Sequence, residues 1–342
     1  MVTVKEVAKH AGVSLATVSR VMNGASNVSP SIKEKVINSV NELGYFPNNA
    51  ARSLVNRQAG SIAVLLRNLH SPFFTELIRG MEEAAFSVNR NVFFCSLGKE
   101  QEYRDQYIRF LTNGISDAII LYGSLFSDKQ IIEHLCSLKF PLLLIENNFQ
   151  SLPVNQFLVN NFDGSKKGVE YLIGLGHRRI AHFMGDANKQ INLERFNGYT
   201  QAMQENGLQI HTKDIYHISN DYELAYQMAQ EIMEQPPEER PTAIFCSSDR
   251  IASRAIMGVL DKGYRIPEDI SILGYDNQLF HDQNYSGPKI TTIKQPLYEI
   301  GRDSILAVTK LLDEKPKQRI SKIYETELVK GGTVCEKPET GE

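Results

Sequence analysis

The chain has 342 residues, 42% of them apolar and 23% charged, a balance that fits two or three globular domains and excludes bulk disorder. The longest charge-free apolar run, around Phe140–Ile145, is far too short to span a membrane, and Lys5, Glu6, Lys9 and His10 interrupt any signal-peptide core, so a soluble, cytoplasmic protein is expected. The net charge of −3 argues against a nucleic-acid partner only as a total: residues 1–58 carry seven basic and three acidic side chains, a net +4, and the remainder carries −7, the asymmetry of a nucleic-acid reader fused to a second function.

The basic head reads as three helices. Thr3-Val4-Lys5-Glu6 has capping-box spacing and predicts a helix to about His10. Ala11-Gly12-Val13-Ser14 supplies a turn, with Gly12 where a positive φ is favoured, and Ser14 caps a second helix from Leu15 to about Asn23. Two helices joined by a tight glycine-containing turn form a helix-turn-helix, with Ala8 allowing close approach and Val7, Val18 and Val21 filling the seam. A third helix opens at its cap, Ser29, and at Pro30, repeats Ile32, Val36, Val40 and Leu43 at helical spacing, and stops at Gly44. Pro47-Asn48 then breaks the chain, and residues 49–56 have helix-forming character in a stretch too short to be stable alone.

The remainder alternates short apolar strands with amphipathic helices. Ser61–Leu66, Val92–Cys95, Ala118–Tyr122 and Pro141–Ile145 read as strands, separated by helices from Phe73 to about Ser87, Glu102–Asn113 and Asp128–Leu138. The alternation restarts with helices Gly164–Leu175, Leu193–Asn206, Tyr222–Met233 and Asp249–Lys262 between strands Ile180–Met184, Ile215–Ile218, Ala243–Cys246 and Ile270–Leu273. Ile290–Ile293 and the helix Leu297–Leu312 follow the second set and are expected to cross back to the first. The fold class is therefore α/β: an all-α helix-turn-helix head plus two doubly wound parallel-sheet subdomains, with a ligand cleft between them. Cys95, Cys136, Cys246 and Cys335 lie far apart with no C-x-x-C pair, which argues against a zinc site or redox motif; no metal or cofactor is expected. No nucleophile–base–acid order or phosphate loop stands out, which argues against an enzyme.

Ligand candidates lie just past strand ends, where ligands bind in such sheets. Phe73 and Phe74 offer flat faces, Glu146 ends the fourth strand, Arg195 supplies a guanidinium fork, and Tyr222, Ser248, Asp249 and Asp276 complete the set. Carboxylates that accept paired hydroxyls beside an Arg suit a polyhydroxylated, sugar-like ligand, and Lys189 leaves room for a phosphorylated one. Each candidate has a structural alternative. Phe73, Phe74 and Tyr222 can serve as core, Glu146 and Ser248 can face solvent, and Arg195 and Asp276 can pair with protein groups alone.

The run Val2–Asn23 (VTVKEVAKHAGVSLATVSRVMN) with Leu43–Leu54 (LGYFPNNAARSL) resembles the DNA-binding head of the lactose/galactose/purine repressor family. Ser71–Phe74 (SPFF), Gly176–Ile180 (GHRRI), Gly274–Asn277 (GYDN) and Thr291–Pro296 (TTIKQP) extend the resemblance over nearly the whole chain and imply a body like a type I periplasmic binding protein. The implied domains are a head at 1–46, a hinge helix at 47–58, and an effector-binding and dimerisation domain at 59–342. The last would divide into an N-subdomain of about 59–160 and 290–322 and a C-subdomain of about 161–289 and 323–340. The implied function is a ligand-responsive transcriptional regulator, most simply a repressor, bound as a homodimer to a pseudo-palindromic operator with a central CG step. Leu15, Ala16 and Arg20 match the family's base readers, and their chemistry fits: apolar contact to thymine methyls and a bidentate bond to guanine. Leu54 matches the hinge leucine that wedges into the minor groove. Ser14, Thr17, Ser19, Asn23 and Tyr45 carry polar groups suited to phosphates. The resemblance also makes Arg195 and Asp276 regular effector contacts. Ser248 departs from the family's Asn and Glu146 from its usual Asp. Arg254 stands where Gly is usual, and either reaches solvent or adds charge near the cleft or the dimer face. No leucine heptads follow the body, which favours a dimer over a tetramer. A solute-binding protein shares the body fold, but the head argues against it.

Overall fold

The computed structural model describes residues 2–22, 27–45, 59–97, 101–123, 125–149, 151–219, 221–278, 285 and 287–337. The chain divides into two compact units, Met1–Gly60 and Ser61–Glu342.

The first unit is three helices, α1 (Val4–Ala11), α2 (Leu15–Met22) and α3 (Pro30–Leu43). The capping box forms in full. Glu6 N donates to Thr3 Oγ1 at 3.4 Å, and the Glu6 carboxylate accepts from Thr3 N at 2.7 Å, so two amides at the helix start find partners. Gly12 ends α1 at φ 67°, and Ser14 Oγ accepts from Thr17 N to open α2. Val7, Ala8, Val18, Val21 and Val36 close the core between the helices. Ser29 takes the expected N-cap position of α3. It has extended backbone before Pro30 but makes no side-chain cap bond, and its hydroxyl lies 3.4 Å from Ser31 Oγ instead. Gly44 stops α3 at φ 60°.

The second unit contains two six-stranded sheets. The first runs β11-β5-β4-β3-β1-β2, from β1 (Ser61–Leu66), β2 (Asn91–Ser96), β3 (Ala118–Tyr122), β4 (Leu142–Ile145), β5 (Asn155–Val159) and β11 (Ser321–Tyr324). The second runs β12-β10-β9-β8-β6-β7, from β6 (Ile180–Gly185), β7 (Ile215–Ser219), β8 (Ala243–Cys246), β9 (Ser271–Asp276), β10 (Thr291–Lys294) and β12 (Glu327–Val329). Every pairing is parallel except β10 with β12. Strand β1 is buried at every residue because both faces are covered. Its side chains alternate between two cores: Ile62, Val64 and Leu66 join one, and Ala63 and Leu65 the other. In the second sheet β8 does the same, with Ile244 and Cys246 on one side and Ala243 and Phe245 on the other.

The covering helices of the first lobe are α4 (Thr75–Ser87), α5 (Gln101–Thr112) and α6 (Lys129–Ser137). Those of the second lobe are α7 (Asn161–Gly174), α8 (Gln190–Glu205), α9 (Tyr222–Glu234) and α10 (Asp249–Asp261). Helix α11 (Leu297–Glu314) crosses back to pack on α4. The two helices meet backbone to backbone: a Cβ on Gly80 would lie 2.2 Å from Tyr298 O, and one on Gly301 would lie 2.1 Å from Leu77 O. The strand ahead of α11 corrects the sequence reading. Residues 291–294 do not join the first sheet but pair in register with β9, Thr291 opposite Leu273 and Lys294 opposite Asp276. The crossing falls at Gln295-Pro296, and the chain crosses twice more, between β5 and α7 and between β11 and β12. Strands β5, β11 and β12 were not expected from the pattern. Among the described residues no helix is long and apolar enough to cross a membrane.

Candidate functional site

Two surfaces carry the chemistry, one in each unit. In the head, α2 turns Val18 and Val21 inward, which leaves Leu15, Ala16, Ser19 and Arg20 on the opposite side in solvent. Leu15 is 45% exposed. At the start of the same helix the Ser14 and Thr17 hydroxyls lie 2.9 Å apart in a hydrogen bond. Tyr45 is half-buried against the head core. Asn23, Leu54 and the expected hinge at 47–58 lie outside the described residues.

In the body, the strand ends of both sheets converge on a buried charged cluster. Arg195, in the second turn of α8, lies at its centre. Its Nη2 is 3.0 Å from Asp276 Oδ1, its Nε donates to Asn161 Oδ1 at 3.0 Å, and its Nη1 donates to Ser247 O at 2.5 Å. The guanidinium also lies 3.7 Å above the Tyr275 ring. Burial opposes its charge, but Asp276, Tyr275 and Glu146 outweigh that and hold its pKa above the ordinary arginine value. Asp276 ends β9 at φ 102° and accepts a second bond from Gln295 Nε2 at 2.7 Å. Burial raises its carboxyl pKa, against the pull of Arg195 and Gln295.

Glu146 follows β4 at φ 80° and accepts from Tyr122 OH at 2.5 Å. Burial pushes its pKa up to about 7, against the Tyr122 bond and the Arg195 charge. Two non-glycine residues in the left-handed half of backbone space, both carboxylates at strand ends, mark strain held in place by the surrounding fold. Glu146 belongs to the first lobe and Arg195, Asp276 and Lys189 to the second, yet all four interact electrostatically. A hydrogen bond also spans the lobes: the Asn148 backbone N donates to the Gln190 side-chain Oε1 at 3.1 Å.

The other predicted residues divide. Phe73 is half-buried and Phe74 buried, and both pack edge-on around Tyr122, at 6.0 and 5.2 Å between ring centres. Asp249 is an internal brace. Its Oδ1 accepts from Thr292 Oγ1 at 2.6 Å and its Oδ2 from Gln278 N at 2.8 Å, and burial pushes its carboxyl pKa well up. Ser248 caps α10 by accepting from Ile251 N at 3.3 Å. Tyr222 opens α9 with its ring beneath the Arg250 guanidinium, 4.1 Å away, and rests on the second-lobe core. Arg254 bonds the Glu223 carboxylate across α9 and α10.

The sequence reading missed Tyr122, Asn148, Asn161 and Gln295. Of these, Asn148 Oδ1 and Gln295 Oε1 are buried acceptors with no hydrogen-bond partner among the described residues. Gln295 sits inside the Thr291–Pro296 motif, and Asn161 would have stood at a strand end had β5 been recognised. Among the described residues no cluster of His, Cys, Asp and Glu could hold a metal ion.

A helix-turn-helix ahead of a two-lobed α/β body with polar strand ends facing one cleft defines a DNA-binding regulator with a ligand sensor. Residues 59–327 match the model of periplasmic binding proteins and the sugar-binding domain of the LacI family, and residues 3–48 match that of bacterial regulatory proteins of the lacI family. The chain belongs to the LacI family. It is 31% identical to RegA, an HTH-type transcriptional regulator of Clostridium saccharobutylicum, over 96% of this chain and 97% of the relative. It is 34% identical to the ribose operon repressor of Haemophilus influenzae, over 91% of each. The structure of the lac repressor dimer bound to operator and the anti-inducer ONPF superposes with a TM-score of 0.85 at 27% identity, over 98% of this chain and 99% of that one. The protein is a ligand-responsive transcriptional regulator and not an enzyme.

Proposed function

We propose that this regulator represses transcription as a homodimer on a pseudo-palindromic operator with a central CG step, switched by a polyhydroxylated, sugar-like effector in the cleft. The head, 1–46, reads DNA, the hinge, 47–58, orders on it, and the body from 59 senses the effector and dimerises. Leu15 and Ala16 contact thymine methyls or exclude wrong bases, Arg20 forks onto guanine, and Leu54 wedges into the minor groove. Ser14, Thr17, Ser19, Asn23 and Tyr45 hold phosphates and set the register. The operator-bound lac repressor dimer supports this half of the reading.

The observation that carries the effector half is the pair of unpartnered buried amide oxygens, Asn148 Oδ1 and Gln295 Oε1, at the same strand ends as the Arg195–Asp276 pair and Glu146. An orphaned buried acceptor costs about 1–3 kcal/mol, which a donating hydroxyl recovers. Glu146 and Asp276 accept further hydroxyls, Arg195 completes the fork, and Phe73 and Phe74 form the apolar wall. Ser248, Asp249 and Tyr222 frame the cleft through their protein partners.

Two experiments test the reading. Intact chain retards operator DNA in a gel and residues 59–342 do not; retardation by the body alone overturns the head-and-hinge account. In a thermal-shift screen against sugars and sugar derivatives, an effector at 100 times its Kd adds about 2.7 kcal/mol of stability. That same compound shifts operator affinity, and a stabilising ligand with no such effect overturns the switch.

A further inference from the structure

We propose that Asp249 and Thr292 are positioning residues of the effector site: without touching the effector, they clamp the backbone that follows Asp276 and so keep one oxygen of its carboxylate set for a ligand hydroxyl. The inference rests on the reading of the cleft as the effector site and deepens it. It starts from an asymmetry in Asp276. Arg195 Nη2 at 3.0 Å and Gln295 Nε2 at 2.7 Å both approach Oδ1. Oδ2 makes no hydrogen bond among the described residues, so it is the oxygen left to accept a hydroxyl.

The direction of that carboxylate depends on an uncommon backbone. Asp276 at φ 102° and Asn277 at φ 53° are consecutive non-glycine residues in the left-handed half of backbone space. Such residues persist only where their surroundings over-determine them. Here the constraint falls on the two amides after Asp276. Asn277 N donates to Thr292 Oγ1 at 3.3 Å, and Gln278 N donates to Asp249 Oδ2 at 2.8 Å. Thr292 Oγ1 in turn donates to Asp249 Oδ1 at 2.6 Å, which closes the clamp. Both clamp residues are buried, Asp249 in the first turn of α10 and Thr292 on β10. Gly274, opposite Thr292 in register, lets the carboxyl in: a Cβ there would lie 2.0 Å from Asp249 Oδ1.

The chemistry of the clamp says which substitutions it tolerates. Burial, with the Asp276 charge, pushes the Asp249 carboxyl pKa well up, against the bonds from Thr292 and Gln278. A carboxyl that holds its proton offers one donor and one acceptor, the pattern of an asparagine amide. Asp249→Asn can therefore accept from Gln278 N through its oxygen and donate to Thr292 Oγ1 through its nitrogen, and the clamp stays closed. Thr292→Val keeps the side-chain shape and removes only the hydroxyl, so Asn277 N and Asp249 Oδ1 both lose that partner. The strained turn is then held at one amide in place of two.

The test uses the full chain. A crystal structure of Thr292→Val is expected to show residues 276–277 moved out of the left-handed region and the Asp276 carboxylate beyond ion-pair distance of Arg195, more than about 4 Å. A pair still at 3.0 Å would overturn the proposal. Ribose, glucose, galactose and cellobiose are the calorimetric probes. Each sugar that binds the wild type is expected to bind Thr292→Val and Asp249→Ala at least about tenfold more weakly, the size of one charge-assisted hydrogen bond. Thr292→Ser and Asp249→Asn should keep wild-type affinity, which separates a lost clamp from a damaged fold. Adding Thr292→Val to Asp276→Asn should cost little further affinity, because both act on the same carboxylate. Losses that multiply, or wild-type affinity in Thr292→Val, would each overturn the positioning role. If none of the four sugars binds the wild type, the sugar reading of the cleft fails on its own, and the Thr292→Val structure still decides the clamp.

Discussion

The recognition helix and the cleft use polar chemistry in opposite ways. On α2 the side chains suited to bases point into water, where Leu15 and Ala16 contribute nothing to the head's own core. In the cleft, Arg195, Asp276 and Glu146 are buried and each is bonded to named neighbours from distant parts of the chain. The head can change its reading face without disturbing its fold. The cleft cannot change a charge without unbalancing another, so ligand sensing and stability are coupled there.

The largest effect that would break this contrast belongs to Arg195. Arg195→Ala leaves Asp276 as a buried carboxylate with Gln295 as its main partner, and should cost about 3–5 kcal/mol in urea unfolding. Arg195→Lys should not restore it, because an ammonium cannot serve Asp276, Asn161 and Ser247 O while lying flat on Tyr275. Wild-type stability in either variant would mean the pair is not part of the scaffold.

Glu146 sharpens the contrast through pH. Its folded pKa of about 7 lies above the ordinary 4.5, so the native state holds the proton more tightly than the unfolded chain. That contribution is complete below about pH 4.5 and is lost as pH rises through about 7. The unfolding free energy of the wild type, from urea titrations, should therefore fall relative to that of Glu146→Gln across that window, by up to about 3 kcal/mol. Parallel pH profiles for the two proteins would show that Glu146 does not hold its proton in the fold.

The same contrast explains what the sequence disclosed. The Thr3–Glu6 capping box, the Gly12 turn and the Val7, Val18 and Val21 seam are local, set by neighbours within one or two turns, and all appear in the structure. The β3 and β4 runs are apolar end to end, and β1 is apolar from Ile62 onward, so all three were equally plain. Strand β5, Asn-Gln-Phe-Leu-Val, mixes amides with apolar residues, and β11 is a mostly exposed edge, so neither has a clean period. Sheet membership of 291–294 depends on which edge of β9 is vacant, a property of the assembled sheet. In the cleft, residue types were readable but partners were not. Tyr122 meets Glu146 from 24 positions away, and the Arg195 bonds reach across 34 and 52 positions.

Arg20 tests the other side of the comparison. Arg20→Ala should weaken operator binding by about 1–3 kcal/mol, measured by gel shift at fixed salt. Its unfolding free energy should move by no more than about 0.5 kcal/mol, since the side chain is exposed. A stability loss larger than the binding loss would place Arg20 in the scaffold.

The smallest expected effect comes from a charge that belongs to neither surface. Arg254 bonds Glu223 and lies 5.8 Å from the Tyr226 ring, tying α9 to α10 on the outside of the second lobe. Both members of the pair remain partly in water, so the Coulomb gain is screened and part of it is offset by ordering two long side chains. Arg254→Ala should therefore cost less than about 1 kcal/mol in urea unfolding. Part of the residual loss would come from the guanidinium's contact with the Tyr226 ring. Raising the salt to 0.5 M should narrow the gap between wild type and variant if the charge dominates, and leave it unchanged if packing does. A loss approaching that of Arg195→Ala would show that burial is not what separates the cleft charges from the surface ones.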